Sequence, residues 1–155
     1  MATIALLAGV TTVAAAQTTA TQTVTFQVDA INEIAFVGAP SLLINTATAG
    51  SAPTSATNAV ATWAVTTNQT GAKITASINA AMPAGLTLSA NLAAPAGASS
   101  AGLQSLTTVA VDVVTSITKL AASALGVTYQ LDASAAAGVV ASQSRTVTYT
   151  ITGGV

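Results

Sequence analysis

The sequence predicts an all-β protein, and three observations lead to that fold class. The last stretch, Arg145–Thr152, alternates strictly between apolar and threonine side chains, which is the period-two pattern of a strand with one buried face. The same pattern occurs at Thr23–Val28 and at Leu125–Leu131. The composition agrees, because 52% of the residues are hydrophobic and threonine, which favours sheets, is abundant. We therefore expect one β-sandwich of the immunoglobulin-like or jelly-roll type, with about eight to nine short strands.

The elements follow from alternation and from the turn residues between them. Residues 1–22 form an apolar N-terminal segment, and residues 23–155 form the predicted sandwich domain. Asn68–Gly71 has the composition of a hairpin connection. Val114–Ala124 fits one or two helical turns, although its many Thr and Ser residues disfavour a helix, and Ala133–Ser144 fits a loop or a weak edge strand. The predicted strands are Thr23–Asp29, Ile31–Val37, Ser41–Asn45, Ala59–Thr67, Ala72–Ala80, Leu86–Leu92, Thr107–Val114, Leu125–Asp132 and Arg145–Thr152.

The N-terminal segment has two interpretations. It resembles a secretory signal peptide, in which an apolar region precedes a small-residue cleavage site at Ala14–Ala16 and leaves Gln17 as the new N-terminus. Alternatively, the mature protein retains it as an arm that is buried in a neighbouring subunit. In that case the side chains that contact the neighbour are Ile4, Leu6, Leu7, Val10 and Val13.

Charged side chains are unusually scarce. They make up 5% of the residues, against about a quarter in ordinary domains, and the formal net charge is −1. The fixed cations are only Lys73, Lys119 and Arg145, so we expect no nucleic-acid partner. No apolar run reaches about 18 residues, so we expect no stable membrane span. A surface with so little repulsion is typical of a protein that packs against copies of itself.

The sequence offers few groups for catalysis or metal binding. It has no histidine and no cysteine, which removes the commonest general base, the thiol nucleophile and the usual zinc ligands. The acidic residues are Asp29, Glu33, Asp112 and Asp132. Asp29 and Glu33 are four residues apart, and we interpret them as solubilising or turn residues rather than a catalytic pair. We expect no catalytic, cofactor or metal site, and therefore no enzyme.

The aromatic side chains are predicted to lie in the core. Trp63 alternates with Ala61 and Val65, which places it on the buried face of its strand. At 3% of the residues, aromatic side chains are too few for a surface that stacks sugars or bases. The other core candidates are Phe26, Phe36, Tyr129 and Tyr149.

One modification motif is present. Asn68, Gln69 and Thr70 form an N-glycosylation acceptor triplet in the predicted connection. Asn68 is therefore a candidate glycosylation site, and surface glycans are candidate partners.

The chain resembles the secreted β-sandwich subunits of microbial surface filaments. The resemblance lies in the Ala-rich N-terminal segment, in Thr23–Val28, and in the closing alternation of Thr146–Thr152. These families include the biofilm-fibre and camelysin-like proteins, the archaeal bundling pili and, more distantly, the chaperone–usher pilins. In them an N-terminal strand of one subunit completes the sheet of the next, and the resemblance implies that residues 1–22 are the donor. Unlike the chaperone–usher pilins, this chain has no cysteine for a disulfide.

The expected function is that of a structural subunit of an extracellular, cell-surface filament that assembles from copies of itself. An edge strand has unpaired backbone groups that charged residues normally protect from further pairing, and here few charges are available. One alternative is a monomeric secreted adhesin or carbohydrate-binding sandwich. Another is a type IV-like pilin whose N-terminal segment is a helix in the filament core.

Overall fold

The computed structural model describes residues 18–155 and confirms an all-β sandwich. It contains nine strands, and one 3₁₀ turn at Ala135–Ala137 follows the eighth. Within this range no helix has the length and apolar character needed to cross a bilayer. The strands are β1 Asn32–Val37, β2 Ala56–Thr67, β3 Ala72–Ile78, β4 Leu86–Leu92, β5 Ser99–Ser100, β6 Gln104–Ser105, β7 Val111–Ile117, β8 Leu120–Ala133 and β9 Val147–Thr152.

The strands form two antiparallel sheets that share one core. The first sheet has the order β1-β2-β8-β4-β6, and the second has the order β5-β7-β3-β9. The outermost strands on one side of the sandwich are therefore β1 and β9. Alternation explains the packing, since β3 buries every second side chain completely, and Ile74 is fully enclosed between the sheets.

Trp63 is the largest side chain of the core, as predicted. It is 1% exposed, and its indole N–H donates a hydrogen bond to the carbonyl of Ala93 at 3.1 Å. The indole thus has a partner for its one polar group, which a buried tryptophan requires. The surrounding core includes Val65, Ile74, Leu92, Val113, Val114, Ile117 and Val127.

One end of the sandwich, which we call the corner end, is formed where the chain crosses between the sheets. β2 continues into β3 through Asn68–Gly71, and β7 continues into β8 through Thr118 and Lys119. The amide of Lys119 donates to the carbonyl of Gln69 at 2.9 Å. The C-terminal residue Val155 exchanges two backbone hydrogen bonds with Thr70, at 2.9 and 3.1 Å. The prediction of a hairpin at Asn68–Gly71 is wrong, because its flanking strands belong to different sheets.

The opposite end, which we call the distal end, contains a long interrupted hairpin. β1 pairs with β2 from Asn32↔Thr67 to Val37↔Thr62. Pairing stops at Gly38, whose φ is +114° and whose backbone lies directly against Ala61. It resumes only at the bridge between Ala47 and Pro53, just before the chain turns back. Residues 39–46 therefore continue the line of β1 to the distal end without a ladder of hydrogen bonds.

Two of the predicted strands are absent. Thr23–Asp29 and Ser41–Asn45 both run without a turn or a bend, yet neither is paired in a sheet. The alternation of side chains was identified correctly, but it cannot show whether a neighbouring strand exists. Phe26 is accordingly 89% exposed, so its prediction as a core residue is wrong.

Other boundaries also differ from the prediction. The predicted strand Thr107–Val114 lies at Val111–Ile117 instead, and the two-residue strands β5 and β6 were not predicted. The helical alternative for Val114–Ala124 is wrong, because that stretch ends β7 and begins β8. Ala124 has a φ of +56° where the pairing of β2 with β8 shifts register, which is the geometry of a β-bulge. Ala133–Ser144, predicted as a loop or weak edge strand, contains the end of β8 and the 3₁₀ turn and is otherwise loop.

Candidate subunit interface

The most exposed apolar segment of the described chain is residues 18–31, which we call the arm. Every residue of the arm is exposed, and no backbone N–H group of residues 18–30 has a hydrogen-bond partner within the described residues. Val24, Phe26 and Val28 are 73%, 89% and 77% exposed and lie at period two. In an extended strand this spacing would place all three on one face. The arm therefore has the side-chain pattern of a strand with no sheet to cover it.

Asn68 fixes the point where the arm joins the sandwich. Its side-chain Nδ2 donates to the carbonyl of Asp29 at 2.7 Å, and its Oδ1 accepts from the amide of Ile31 at 2.8 Å. Its own backbone amide donates to the carbonyl of Ile31 at 3.3 Å. These three bonds hold the arm to the corner end immediately before β1 begins.

Between β1 and β9 the two sheets meet at a seam that aromatic side chains close near its middle. Phe36 stacks on Tyr149 with ring centroids 3.9 Å apart, and its other neighbour is Trp63 at 6.0 Å. The hydroxyl groups of Tyr149 and Tyr129 are 2.8 Å apart and share a hydrogen bond. Burial raises the pKa of both tyrosines above the ordinary value, and for Tyr149 the bond to Tyr129 raises it further.

The apolar residues along this seam are only partly buried. In β1 and β9 the inward-facing side chains, including Ile34 and Ile151, remain half-buried, whereas the corresponding side chains of β3 are enclosed. A strand in the middle of a sheet is covered on both sides, and an edge strand is not. The core is therefore incomplete along this side of the sandwich.

Toward the distal end the seam opens into a cavity of about 690 Å³, which we call the distal groove. One wall is residues 42–47, which continue the line of β1, and the other is residues 138–145, which lead into β9. The floor includes Met82, Leu86 and Leu131, none of which is fully buried. The groove has the size of cavities that accept ligands and an apolar lining.

Most backbone N–H groups of both walls lack a hydrogen-bond partner within the described residues, although the carbonyls of Thr46 and Ser144 each accept one bond. Within the described residues no backbone N–H group of residues 39–45 or 139–145 donates to another group. The C-terminal part of the second wall is held by Arg145, whose guanidinium donates to the carbonyl of Ala81 at 2.9 and 3.2 Å. Unsatisfied backbone groups beside an apolar cavity are the features of an edge that can accept a strand.

The acidic residues lie apart from one another in the hydrogen-bond network. Asp29 accepts from Gln27 in the arm, Asp132 accepts from Ser55 and Gln130, and Asp112 forms an ion pair with Lys73 at 2.9 Å. Glu33 is exposed on β1. Within residues 18–155 no three metal-ligating side chains form a group that could hold an ion.

The site residues that the sequence predicts have different outcomes. Ile4, Leu6, Leu7, Val10 and Val13 lie outside the described residues, so the prediction that they form the donor segment stays a prediction. Asn68, the candidate glycosylation site, uses its side-chain amide to hold the arm. The sequence also contained a signal for the arm, since Val24, Phe26 and Val28 alternate, but that alternation was assigned to the chain's own sandwich.

The comparisons with known proteins add no relative. No protein-family model, curated protein or solved structure matches the chain.

Proposed function

We propose that this chain is a structural subunit of an extracellular, cell-surface filament that assembles by donation of a β-strand from one subunit to the next. The observation that carries the proposal is the exposed arm, in which Val24, Phe26 and Val28 alternate along the chain and are each more than 70% exposed. A strand of this kind is stable only when a sheet and a second layer cover its apolar face. Because the subunit does not cover this face, a second copy of the chain is the proposed source of the cover.

The scarcity of charge supports assembly from identical subunits. β9 carries no charged residue, and Glu33 is the one charged residue of β1. Edge strands that must stay single usually have charged or proline residues that oppose pairing. With three cations and four anions in the whole chain, repulsion between copies is weak.

The position of the arm favours an open polymer over a closed dimer. The arm leaves the sandwich at the corner end, and the apolar groove lies at the distal end. A contact between two different surfaces of identical subunits repeats head to tail, and a rotation that does not close produces a filament. Each added subunit then presents a new arm or a new groove for the next.

The alternative of a monomeric adhesin or carbohydrate-binding module requires a binding surface, and such surfaces commonly contain aromatic side chains. In the described sandwich Trp63 is buried, and Phe36, Tyr129 and Tyr149 are engaged with one another. The alternative of a type IV-like pilin concerns the N-terminal segment, residues 1–22, most of which lies outside the described part of the chain. We therefore favour the filament subunit.

The proposal is tested by placing charged side chains on the apolar face of the arm in the full chain. Aspartate in place of the three apolar residues should abolish filaments while circular dichroism stays unchanged, because these side chains are largely exposed in the described part of the subunit. Aspartate on the other face of the same segment should leave assembly largely intact, since that face is expected to stay in solvent. The apolar-face variant is Val24→Asp, Phe26→Asp and Val28→Asp, and the matched polar-face variant is Thr23→Asp, Thr25→Asp and Gln27→Asp.

Negative-stain imaging and sedimentation velocity provide the readout. Filaments of the native chain and of the polar-face variant, with a folded monomer of the apolar-face variant, would support the proposal. A native chain that stays monomeric at high concentration would overturn it in favour of a monomeric module. Normal filaments of the apolar-face variant would show that this arm is not the donor.

A further inference from the structure

The distal groove and the arm are two uncovered parts of the same chain, and both present apolar side chains and few charges. We infer that the distal groove of one subunit receives Thr23–Val28 of a second copy, inserted as a strand between residues 42–47 and residues 138–145. This inference rests on the proposed function, in which the arm is donated, and it names the surface that accepts it.

The groove has the dimensions and polarity for this occupant. A strand of six residues is about 20 Å long, and the first wall also contains six residues, 42–47. Among the described residues that line the groove, the only charged one is Arg145, whose guanidinium is already bound to a backbone carbonyl. Thr23–Val28 carries no charge, so it can enter without leaving an ionised group unpaired.

The exposed large hydrophobic side chains of the described chain concentrate in the arm and the groove. Of the eleven large hydrophobic side chains that are exposed in the described chain, four belong to the arm and two line the groove. Leu43 and Val139, on opposite walls, are 72% and 104% exposed. Insertion would bring Val24, Phe26 and Val28 over Leu86 and Leu131 on the floor, and would offer backbone partners to both walls.

If the arm folded back on β1 of its own subunit as a hairpin, it would not reach this groove. Such a hairpin would turn at residues 29–31, and residues 23–28 would then lie beside residues 32–37 of β1. At that position the seam is already closed by the stacking of Phe36 on Tyr149. The groove begins beyond β1, at residue 42, and is beyond the reach of this segment in that register. A second copy is therefore the occupant that the geometry favours.

The topology also gives the direction of the inserted strand. Val28 is followed within four residues by β1 of its own subunit, so the donor must leave the acceptor at an open end. The distal end is open, whereas the aromatic stack closes the seam in the other direction. The donor then runs from the interior of the seam toward the distal end, parallel to residues 42–47 and antiparallel to residues 138–145. The corner end of the donor consequently faces the distal end of the acceptor.

Two full-length variants test the inference when they are mixed. The groove variant is Leu43→Asp and Val139→Asp, and both side chains are too exposed to be needed for folding. Its matched control is Val60→Asp and Val109→Asp, at residues that are 65% and 71% exposed and do not line the groove. The groove variant should need at least about 100-fold more protein to assemble, because insertion would desolvate the new carboxylates. The control should assemble like the native chain.

Mixing the groove variant with the apolar-face arm variant tests whether the arm of one subunit binds the groove of another. The apolar-face arm variant retains its groove, and the groove variant retains its arm. Each should be monomeric alone, and together they should form a one-to-one dimer that cannot grow, which sedimentation equilibrium can measure. A groove variant that forms normal filaments, or a mixture that stays monomeric, would overturn the groove as the acceptor.

Failure of the groove as the acceptor can be distinguished from failure of the proposed function. If the apolar-face variant loses filaments but the groove variant does not, the arm is donated to another surface. If the native chain forms no filaments and a foreign protein occupies the groove instead, both the proposed function and this inference are wrong.

Discussion

The tyrosine pair at the seam should make the protein sensitive to alkali, and the effect can be worked out from its geometry. Tyr149 and Tyr129 share a hydrogen bond of 2.8 Å beside the stacked ring of Phe36. Burial raises the pKa of both hydroxyls, so the folded protein keeps protons that the unfolded chain releases above about pH 10. A raised pKa in the folded state contributes stability at lower pH, and this stability is lost as the pH rises.

The substitution Tyr149→Phe separates the stability that comes from the tyrosine–tyrosine hydrogen bond from the stability that is lost when the tyrosines ionise. At neutral pH it removes one hydrogen bond between neutral groups and should lower the free energy of unfolding by about 1 kcal/mol. Above about pH 10 each buried tyrosine should lower that free energy by at most about 1.4 kcal/mol per pH unit. The native chain has two such groups and the variant has one. The variant should therefore lose stability about half as steeply, and the difference between them should shrink as the pH rises.

Urea unfolding of the subunit, followed by circular dichroism from neutral pH to about pH 11.5, measures this slope. The double variant with phenylalanine at both positions is the control and should lose little stability over the alkaline range. Equal alkaline slopes for the native chain and both variants would refute the assignment of the effect to this pair.

Three further outcomes follow from the core, the corner end and the charges. Trp63→Phe should destabilise the fold by about 2 kcal/mol, because it removes volume and the hydrogen bond to Ala93; denaturant titration followed by circular dichroism measures this. A β-carbon added to Gly154 would overlap the carbonyl oxygen of Thr70, so Gly154→Ala should destabilise by about 1 to 3 kcal/mol, whereas Gly126→Ala, which has open space, should be neutral or slightly stabilising in the same titration. With four acidic residues in the chain, thermal unfolding should change little between about pH 2 and 9, and a sharp acid transition near pH 4 would reveal a carboxylate cluster.

The fold class was predictable because alternation and turn residues are local properties of the chain. β4 was predicted with its observed bounds, Leu86–Leu92, and the burial of Trp63 followed from its spacing with Ala61 and Val65. The order of the strands was not predictable, because pairing such as that of β2 with β8 depends on contacts between distant residues. The crossing between sheets at Asn68–Gly71 was missed for the same reason.

The candidate interface was only partly predictable. The period-two pattern of Thr23–Val28 correctly identified a segment that can form a strand, but the pattern is the same whether the covering sheet belongs to its own chain or to another. The distal groove could not be foreseen, since its walls and floor come from segments as distant as Ile44, Leu86 and Val140. The role of Asn68 in holding the arm was also invisible in a glycosylation triplet.

The central claim is that this sandwich is completed by a strand from a sister molecule, and amide hydrogen exchange tests it most directly. The backbone N–H groups of residues 23–28 and 139–145 have no hydrogen-bond partners within the described subunit, so both segments should exchange rapidly in the monomer. On assembly both segments should become protected together, while the amides of β3 stay protected throughout. Rapid exchange of both segments in assembled material, or protection of both in an isolated monomer, would contradict the account.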